Sequence, residues 1–394
     1  MIEPRMQVSS RSVKRVFPEG KKLALPGFVS LLLVSIFACS TGFDITRDVS
    51  HAKNLPEPKI QFLGVGGWLL HWHGEGVLTA PSFSNPESFK GLPPLRVQAN
   101  KKRIHDYMPP AQDVTMLLVG HGHYDHLLDV PWVMRKYATN SIVYGSDTVQ
   151  NILLSMQDAN RAEDENFTWV DPRRVVNVMP NMAKIPNCDG SSGPATDGEW
   201  ITSTGGYIRA LPIQSMHASH ILGHTFASGP QSTELTEVPT SVFQWKQGQS
   251  LAWLIELLDD CEKDKCKSDE GLNGKTVAYH IHFQDSAANP PCGFPPKVRI
   301  PKRIDVEILS VGSWHNTQNY PTELLNLTKP QLILLGHWEN FFGNDPGGTQ
   351  KVLNESDMNG MRAAIDSVRK SDPFPTDVNI PLPLYEVALP KRQE

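Results

Sequence analysis

Several things are scarce or missing in this 394-residue chain, and each absence narrows what it can be. It has only five cysteines, too few for a small disulfide scaffold or for a cysteine-rich zinc array. It has no Gly-x-Ser-x-Gly elbow, so the usual serine nucleophile of an α/β-hydrolase is not available. No repeat of fixed period runs through it, which argues against a solenoid or propeller. Beyond residue 40 there is no basic run. That part holds 31 basic and 40 acidic residues, a net charge of −9, and such a surface is poorly suited to nucleic acid. Long apolar runs are confined to one place, Leu23 to Ala38, which is short for a membrane span.

That one run has a meaning of its own. Arg5, Arg11, Lys14, Arg15, Lys21 and Lys22 precede it, and it ends Ile36-Phe37-Ala38-Cys39. A basic segment followed by an apolar core is the pattern of an export signal. The ending looks like a bacterial lipoprotein cleavage box, with Cys39 as the lipidated residue and Phe37 as a departure from the usual small side chain. Residues 1–40 are therefore expected to be a signal peptide or lipoprotein signal. The protein is then exported to the cell envelope, on the periplasmic side if bacterial, and held to the membrane through its N-terminus. Ordinary secretion and an uncleaved anchor are the other readings. Residues 41–57 are polar, end in Pro56-Glu57-Pro58, and are expected to form a linker. In an exported chain the other cysteines, Cys188, Cys261, Cys266 and Cys292, suggest disulfides. Of three pairings, Cys188–Cys292 with Cys261–Cys266 is preferred; a zinc knob fits the spacing poorly.

Plentiful Pro (32) and Gly (29) favour short elements and many turns. Strand-like runs at 60–63, 68–72 and 76–79 form a meander. Val114–Val119 is a continuous apolar strand, followed by an expected helix over Leu127–Tyr137, a strand at Ser141–Tyr144 and a helix over Asp147–Met156. That alternation is an α/β pattern. Residues 181–205 read as an inserted loop. Further strands are expected at 207–213, 275–283, 306–311 and 331–335. Ser241–Trp245 with Leu251–Leu257 is expected as a hairpin. Met358–Lys370 is expected as a final amphipathic helix, and the tail from Pro373 as extended chain.

What is abundant is concentrated at residues 121–126, His-Gly-His-Tyr-Asp-His, directly after the Val114 strand. Three imidazoles and a carboxylate in six residues suit a borderline metal such as zinc. By composition, such a pattern should arise at random in roughly one such chain in a thousand. Other candidates also follow apolar strands, where an α/β fold gathers its chemistry. These are His217, His220 and His224 after the 207–213 strand, Asp285 after Phe283, His315 after Trp314, and His337 in Leu335-Gly336-His337-Trp338. In a strand of period two, Asp285 shares a face with Ile281 and Phe283, so His280 and His282 point the other way and read as structural.

The hexapeptide resembles the signature of the metallo-β-lactamase superfamily, and the order of the later ligands matches along roughly residues 59–345. With Leu63-Gly64-Val65-Gly66-Gly67-Trp68, the motifs are most similar to the branch holding N-acylphosphatidylethanolamine phospholipase D and ascorbate-6-phosphate lactonase. The resemblance implies a four-layer αββα sandwich over residues 58–394, two mixed sheets flanked by helices. It implies His121, His123 and His217 on one zinc ion, and Asp125, His126 and His337 on a second. Asp285 would bridge them. His220 or His224 remain alternatives to His217. A hydroxide shared by the ions would attack the substrate, with Asp125 orienting it, His220 lining the pocket and His315 as a candidate proton donor. The implied substrate is a phosphodiester, possibly a lipid; a lactone or other acyl ester is the alternative. A β-lactam is not expected. A non-catalytic envelope metal-binding protein is the competing class. A di-iron redox protein is disfavoured because such relatives usually carry Glu where this chain has His123. At the end of the third strand the family usually has Asp-Pro and this chain has Ala80-Pro81, so the support behind the site must differ. Nothing in the sequence specifies an oligomeric state.

Overall fold

The computed structural model describes residues 42–88, 94–188, 190, 193–220, 223–261, 272, 274–373 and 375–392. The expected signal and Cys39, and Cys266 with most of its charged excursion, lie outside the described residues. In the described part, no helix is long and apolar enough to cross a membrane.

After a one-turn helix α1 (Ile45–Asp48), strands β1 (Lys59–Gly64), β2 (Gly67–Trp72), β3 (Glu75–Thr79), β4 (Val114–Leu118), β5 (Ile142–Gly145) and β6 (Val175–Asn177) belong to one sheet. Strands β7 (Ile201–Thr202), β8 (Ile208–Ser215), β9 (Ser250–Asp260), β10 (Lys275–Gln284), β11 (Val306–Ser310), β12 (Leu332–Gly336) and β13 (Asp377–Asn379) form the other. The last strand, β14 (Glu386–Ala388), returns to the first sheet beside β1, giving the order β14-β1-β2-β3-β4-β5-β6 opposite β13-β12-β11-β10-β9-β8-β7. Each sheet is half antiparallel and half parallel. In the first, the pairings up to β2·β3 are antiparallel and those from β3·β4 onward parallel. In the second, β7 to β10 are antiparallel and β10 to β13 parallel.

The period-two alternation of the strands makes the layers. In β4, Met116 and Leu118 face the opposite sheet, and with Trp68 of β2 they pack against Trp253, Phe283 and Leu334 of that sheet. Leu117 and Val119 face helices α2 (Lys101–Tyr107), α3 (Tyr124–Leu127), α4 (Val130–Lys136) and α5 (Asp147–Leu153). In β12, Leu334 joins the inter-sheet core, while Ile333 and Leu335 pack on α6 (Thr322–Thr328) and α7 (Met358–Arg369). Strands buried on both faces must be apolar throughout, which is why they read as unbroken runs. The result is the αββα sandwich of the metallo-β-lactamase type. Four tryptophans, Trp68, Trp245, Trp253 and Trp338, are fully buried core residues.

Several expectations need correction. Ser241–Trp245 is not a strand. Ser241 caps a 3-10 turn over Val242–Gln244, in a capping box with Gln244, and the hairpin partners of β9 are β8 and β10. The helix expected over Leu127–Tyr137 is two helices, broken at Leu128-Asp129. Asp129 is buried there because its carboxylate accepts from Phe83 N (2.6 Å), Ser84 N (2.9 Å) and the Ser84 hydroxyl. The stretch expected as a linker is largely exposed but is tied to the domain at a few points. Val49 enters the core against α7, and Ser50 and Ala52 bond to Ile380, Leu382 and Glu386. The Cys188–Cys292 disulfide is present as expected. Cys261 is also disulfide-bonded.

Candidate metal centre

The site lies where strands of both sheets end. The chain leaves β4 at Gly120 and turns through the hexapeptide into α3. His217 follows β8, Asp285 follows β10 and His337 follows β12. Close approach here depends on missing side chains. A Cβ on Gly120 would stand 2.1 Å from the Asp285 carboxyl carbon, and one on Gly66 would stand 2.9 Å from His126 Nδ1.

Three overlapping groups of ligand atoms result: His121, His123 and His217; Asp125, His126 and His337; and His121, His126 and Asp285, which links the other two. His121 Nε2 and His123 Nδ1 are 3.0 Å apart. Asp125 Oδ2 is 3.6 Å from His126 Nε2 and 3.5 Å from His337 Nε2. Ligand atoms at tetrahedral angles around a zinc-sized ion, each about 2.05 Å from it, are about 3.3 Å apart. The observed spacings bracket that value. His123 Nε2 and His337 Nδ1, the ring nitrogens turned away from those contacts, are buried with no hydrogen-bond partner among the described residues. The donor set is imidazole nitrogen and carboxylate oxygen throughout. It fits a divalent ion of borderline softness.

Asp285 is 2% exposed. It accepts from His121 Nδ1 at 2.5 Å and from His126 Nδ1 at 3.0 Å. His217 Nδ1 donates to the Ala218 carbonyl at 2.6 Å. With the proton engaged on Nδ1, the Nε2 lone pair is left for an ion. Burial, reinforced by neighbouring imidazoles, holds His121, His123 and His217 below the ordinary histidine range, so they are neutral as ligands must be. Burial opposes charge on Asp125 as well, but His126 and His337 outweigh it and keep the carboxylate ionised. For His126 burial is overcome by Asp285 and Asp125, and its pKa is raised to about 8.

Support from behind is built without a carboxylate on the third strand. Thr79 Oγ1 accepts from Trp68 N (2.8 Å) and donates to the Gly66 carbonyl (2.5 Å). Buried Glu339 accepts from Val65 N (2.5 Å). Together they hold the turn between β1 and β2, whose Gly66 rests on His126 and Asp285. The motif reading missed Glu339, although it stands two residues past His337.

The structure brings His217 into the first group, and neither His220 nor His224. His220 lines the cavity beside it, with ring centroids 4.8 Å apart, while His224 is exposed. His315 is a correction. It is exposed and does not line the cavity. Ser313 adopts a left-handed conformation (φ 57°) and starts a 3-10 turn that sends Trp314 inward, its Nε1 donating to the Ser356 carbonyl at 2.9 Å, and His315 outward. His282 is structural as expected, fully buried against Glu307 (2.6 Å) and the Gly293 carbonyl (2.9 Å). The cavity over the ligands has a volume of about 120 Å³. Its other wall is apolar, formed by Phe226, Val242, Phe341, Phe342 and Leu353. The adjacent pair Phe341-Phe342, four residues past His337, was the available signal for that wall.

No protein-family model matches the sequence, and no curated protein matches it. Solved structures of similar fold include Igni18, a metallo hydrolase from the hyperthermophilic archaeon Ignicoccus hospitalis. It is 12% identical with a TM-score of 0.43, over 84% of this chain and 97% of that one. The metallo-β-lactamase fold protein YhfI from Bacillus subtilis is 10% identical with a TM-score of 0.41, over 84% and 98%. The short form of human tRNase Z is 11% identical with a TM-score of 0.41, over 84% and 100%. By its strand topology this chain has the metallo-β-lactamase fold, and its strand ends gather histidine and aspartate groups whose geometry could hold a divalent metal.

Proposed function

We propose that the protein is a hydrolase that uses two zinc ions to cleave a phosphodiester bearing an apolar substituent. The observation that carries this reading is the make-up of the cavity wall. Among the described residues it has five large apolar side chains and neither Lys nor Arg. A phosphomonoester dianion is ordinarily held by guanidinium or ammonium groups. A diester carries a single charge, which the ions themselves offset, and its substituent is left for the apolar wall. Phe341 and Phe342 are stacked at 4.5 Å and offer a flat face to such a group. A neutral acyl ester or lactone needs no cation either, and is the second reading on the same observation.

His121, His123 and His217 would hold one ion and Asp125, His126 and His337 the other, with Asp285 between. Bound ions supply Lewis acidity and acidify a water molecule. The remaining work falls to the chain. Asp285 keeps the His121 and His126 rings aimed. Asp125, only partly buried, presents its carboxylate to the cavity where it can orient the attacking water or take its proton. The phenylalanine wall limits competing solvent.

The test uses the full chain loaded with zinc on bis-p-nitrophenyl phosphate, p-nitrophenyl phosphate and p-nitrophenyl butyrate. Diester turnover that exceeds monoester turnover and disappears with chelator is expected. Faster cleavage of the butyrate moves the assignment to acyl substrates, and chelator-insensitive turnover overturns the metal reading. We further propose that the protein works outside the cytoplasm as a lipid-anchored envelope enzyme. The Cys188–Cys292 bridge suits an oxidising compartment. Labelling with radioactive palmitate that is lost in Cys39→Ala is the expected result, and equal labelling of both proteins is the opposing one.

A further inference from the structure

His220 holds a defined tautomer at the edge of the metal centre. Its Nδ1 accepts a hydrogen bond from the backbone N–H of Phe226 at 3.0 Å. An imidazole nitrogen that accepts carries no proton, so the ring is neutral and its proton is on Nε2. Nε2 has no partner among the described residues, and the ring forms part of the cavity wall, 5.8 Å between centroids from His123 and 4.8 Å from His217.

The ring is held on several sides. It stacks on Phe226, with centroids 5.5 Å apart and planes inclined at 26°. Its own loop is closed by His220 N donating to the His224 carbonyl at 2.9 Å. Asn316 Nδ2 ties the loop to the turn after β11, donating to the carbonyls of Ser219 (2.7 Å) and His220 (3.2 Å). Its Nε2–H is thus left unengaged in the wall of a cavity that, among the described residues, contains no cationic side chain of lysine or arginine.

We propose that His220 is a catalytic residue that acts as a fixed hydrogen-bond donor, giving its Nε2–H to the substrate oxygen that gains negative charge during hydrolysis. It is neither a metal ligand nor a base. Its accepting nitrogen is already used, and it keeps its proton through the reaction. Donors placed in advance toward a developing charge cost no reorganisation when the charge appears, and loss of one typically lowers kcat by about 10²–10³. The inference rests on the hydrolase reading above.

The test compares the full-length zinc-loaded protein with His220→Ala and His220→Gln on bis-p-nitrophenyl phosphate, with the metal content of each measured. His220→Ala should retain its metal and lose about 10²–10³ in kcat, with a smaller change in KM. His220→Gln, whose amide N–H can reach the Nε2 position, should recover at least about tenfold of that loss. Nitrogen-15 NMR of the ring should show the neutral Nε2–H form. Loss of metal from His220→Ala, a glutamine variant as slow as alanine, or an Nδ1–H ring each overturns the donor role. Absence of wild-type turnover overturns the hydrolase reading itself and this inference with it, so the two failures are told apart by the wild type.

Discussion

Replacing both Cys188 and Cys292 with alanine removes a crosslink between residues separated by 104 positions in sequence. In the chain-entropy account, a loop of this length constrains the unfolded ensemble by about 4.8 kcal/mol at 25 °C. That is comparable with the whole stability of many domains, about 5–15 kcal/mol. The figure is an upper value, since an unfolded chain with residual structure has less entropy to regain. The bridge also has a local task. It lies in a small buried cluster with Ala288, and Cys292 follows Asp285 by seven residues. Gly293 is pinned beside it, its N–H donating to the Gln214 carbonyl at 2.8 Å and its carbonyl accepting from His282. The assay is urea unfolding of wild type and Cys188→Ala/Cys292→Ala. Variants are preferred to a reductant because Cys261 is bridged as well. With a slope of about 3 kcal/mol/M, the midpoint should fall by about 1.6 M. A fall below about 0.3 M, in a wild type whose bridge is verified by mass, would refute the view that this crosslink carries the insert and the Asp285 loop together.

Gly120→Ala should cost about 1–3 kcal/mol of stability and most of the metal affinity, because the new methyl overlaps the Asp285 carboxylate; a variant that binds zinc as wild type does would contradict the packing described. The chelator-treated protein should be most stable near pH 6.5. His123, His217 and His220 are held neutral in the fold, the last with its pKa lowered to about 4, so stability is lost as pH falls below the unfolded value of about 6.5. His126 is raised to about 8, so its contribution of about 2 kcal/mol is complete below pH 6.5 and lost as pH rises through 8. Urea midpoints that climb steadily from pH 5 to 9 would be inconsistent with this. Asp129→Ala should destabilise by about 2–4 kcal/mol through the orphaned N–H groups of Phe83 and Ser84, measured by the same unfolding assay. His315→Ala should leave turnover and metal content unchanged, since the side chain is exposed and outside the cavity.

Local physics was legible in the linear chain. The hexapeptide is one turn of backbone, so its ligands are neighbours in any fold that keeps the turn. Unbroken apolar runs such as Met116–Val119 announce strands buried on two faces, because neither face meets water. Near-alternation along β10 and into the residue after it sets Asp285 on the face opposite His280 and His282. Questions of convergence could not be answered that way. His217 was already preferred from its place at a strand end, whereas the exclusion of His315 depended on where loops from different strands end, and on a left-handed Ser313 that no propensity announces. Glu339 and Thr79 became the support for the site only because β1, β3 and β12 end at the same place. The segment from Gly42 looked like a linker because its polar composition says nothing of the groove that receives Val49. Sequence alone determined which residue types stand at the strand ends, since that follows from periodicity over a few residues. Which of them meet, and with what behind them, was decided by tertiary structure, because those contacts join residues more than a hundred positions apart and depend on the register of both sheets.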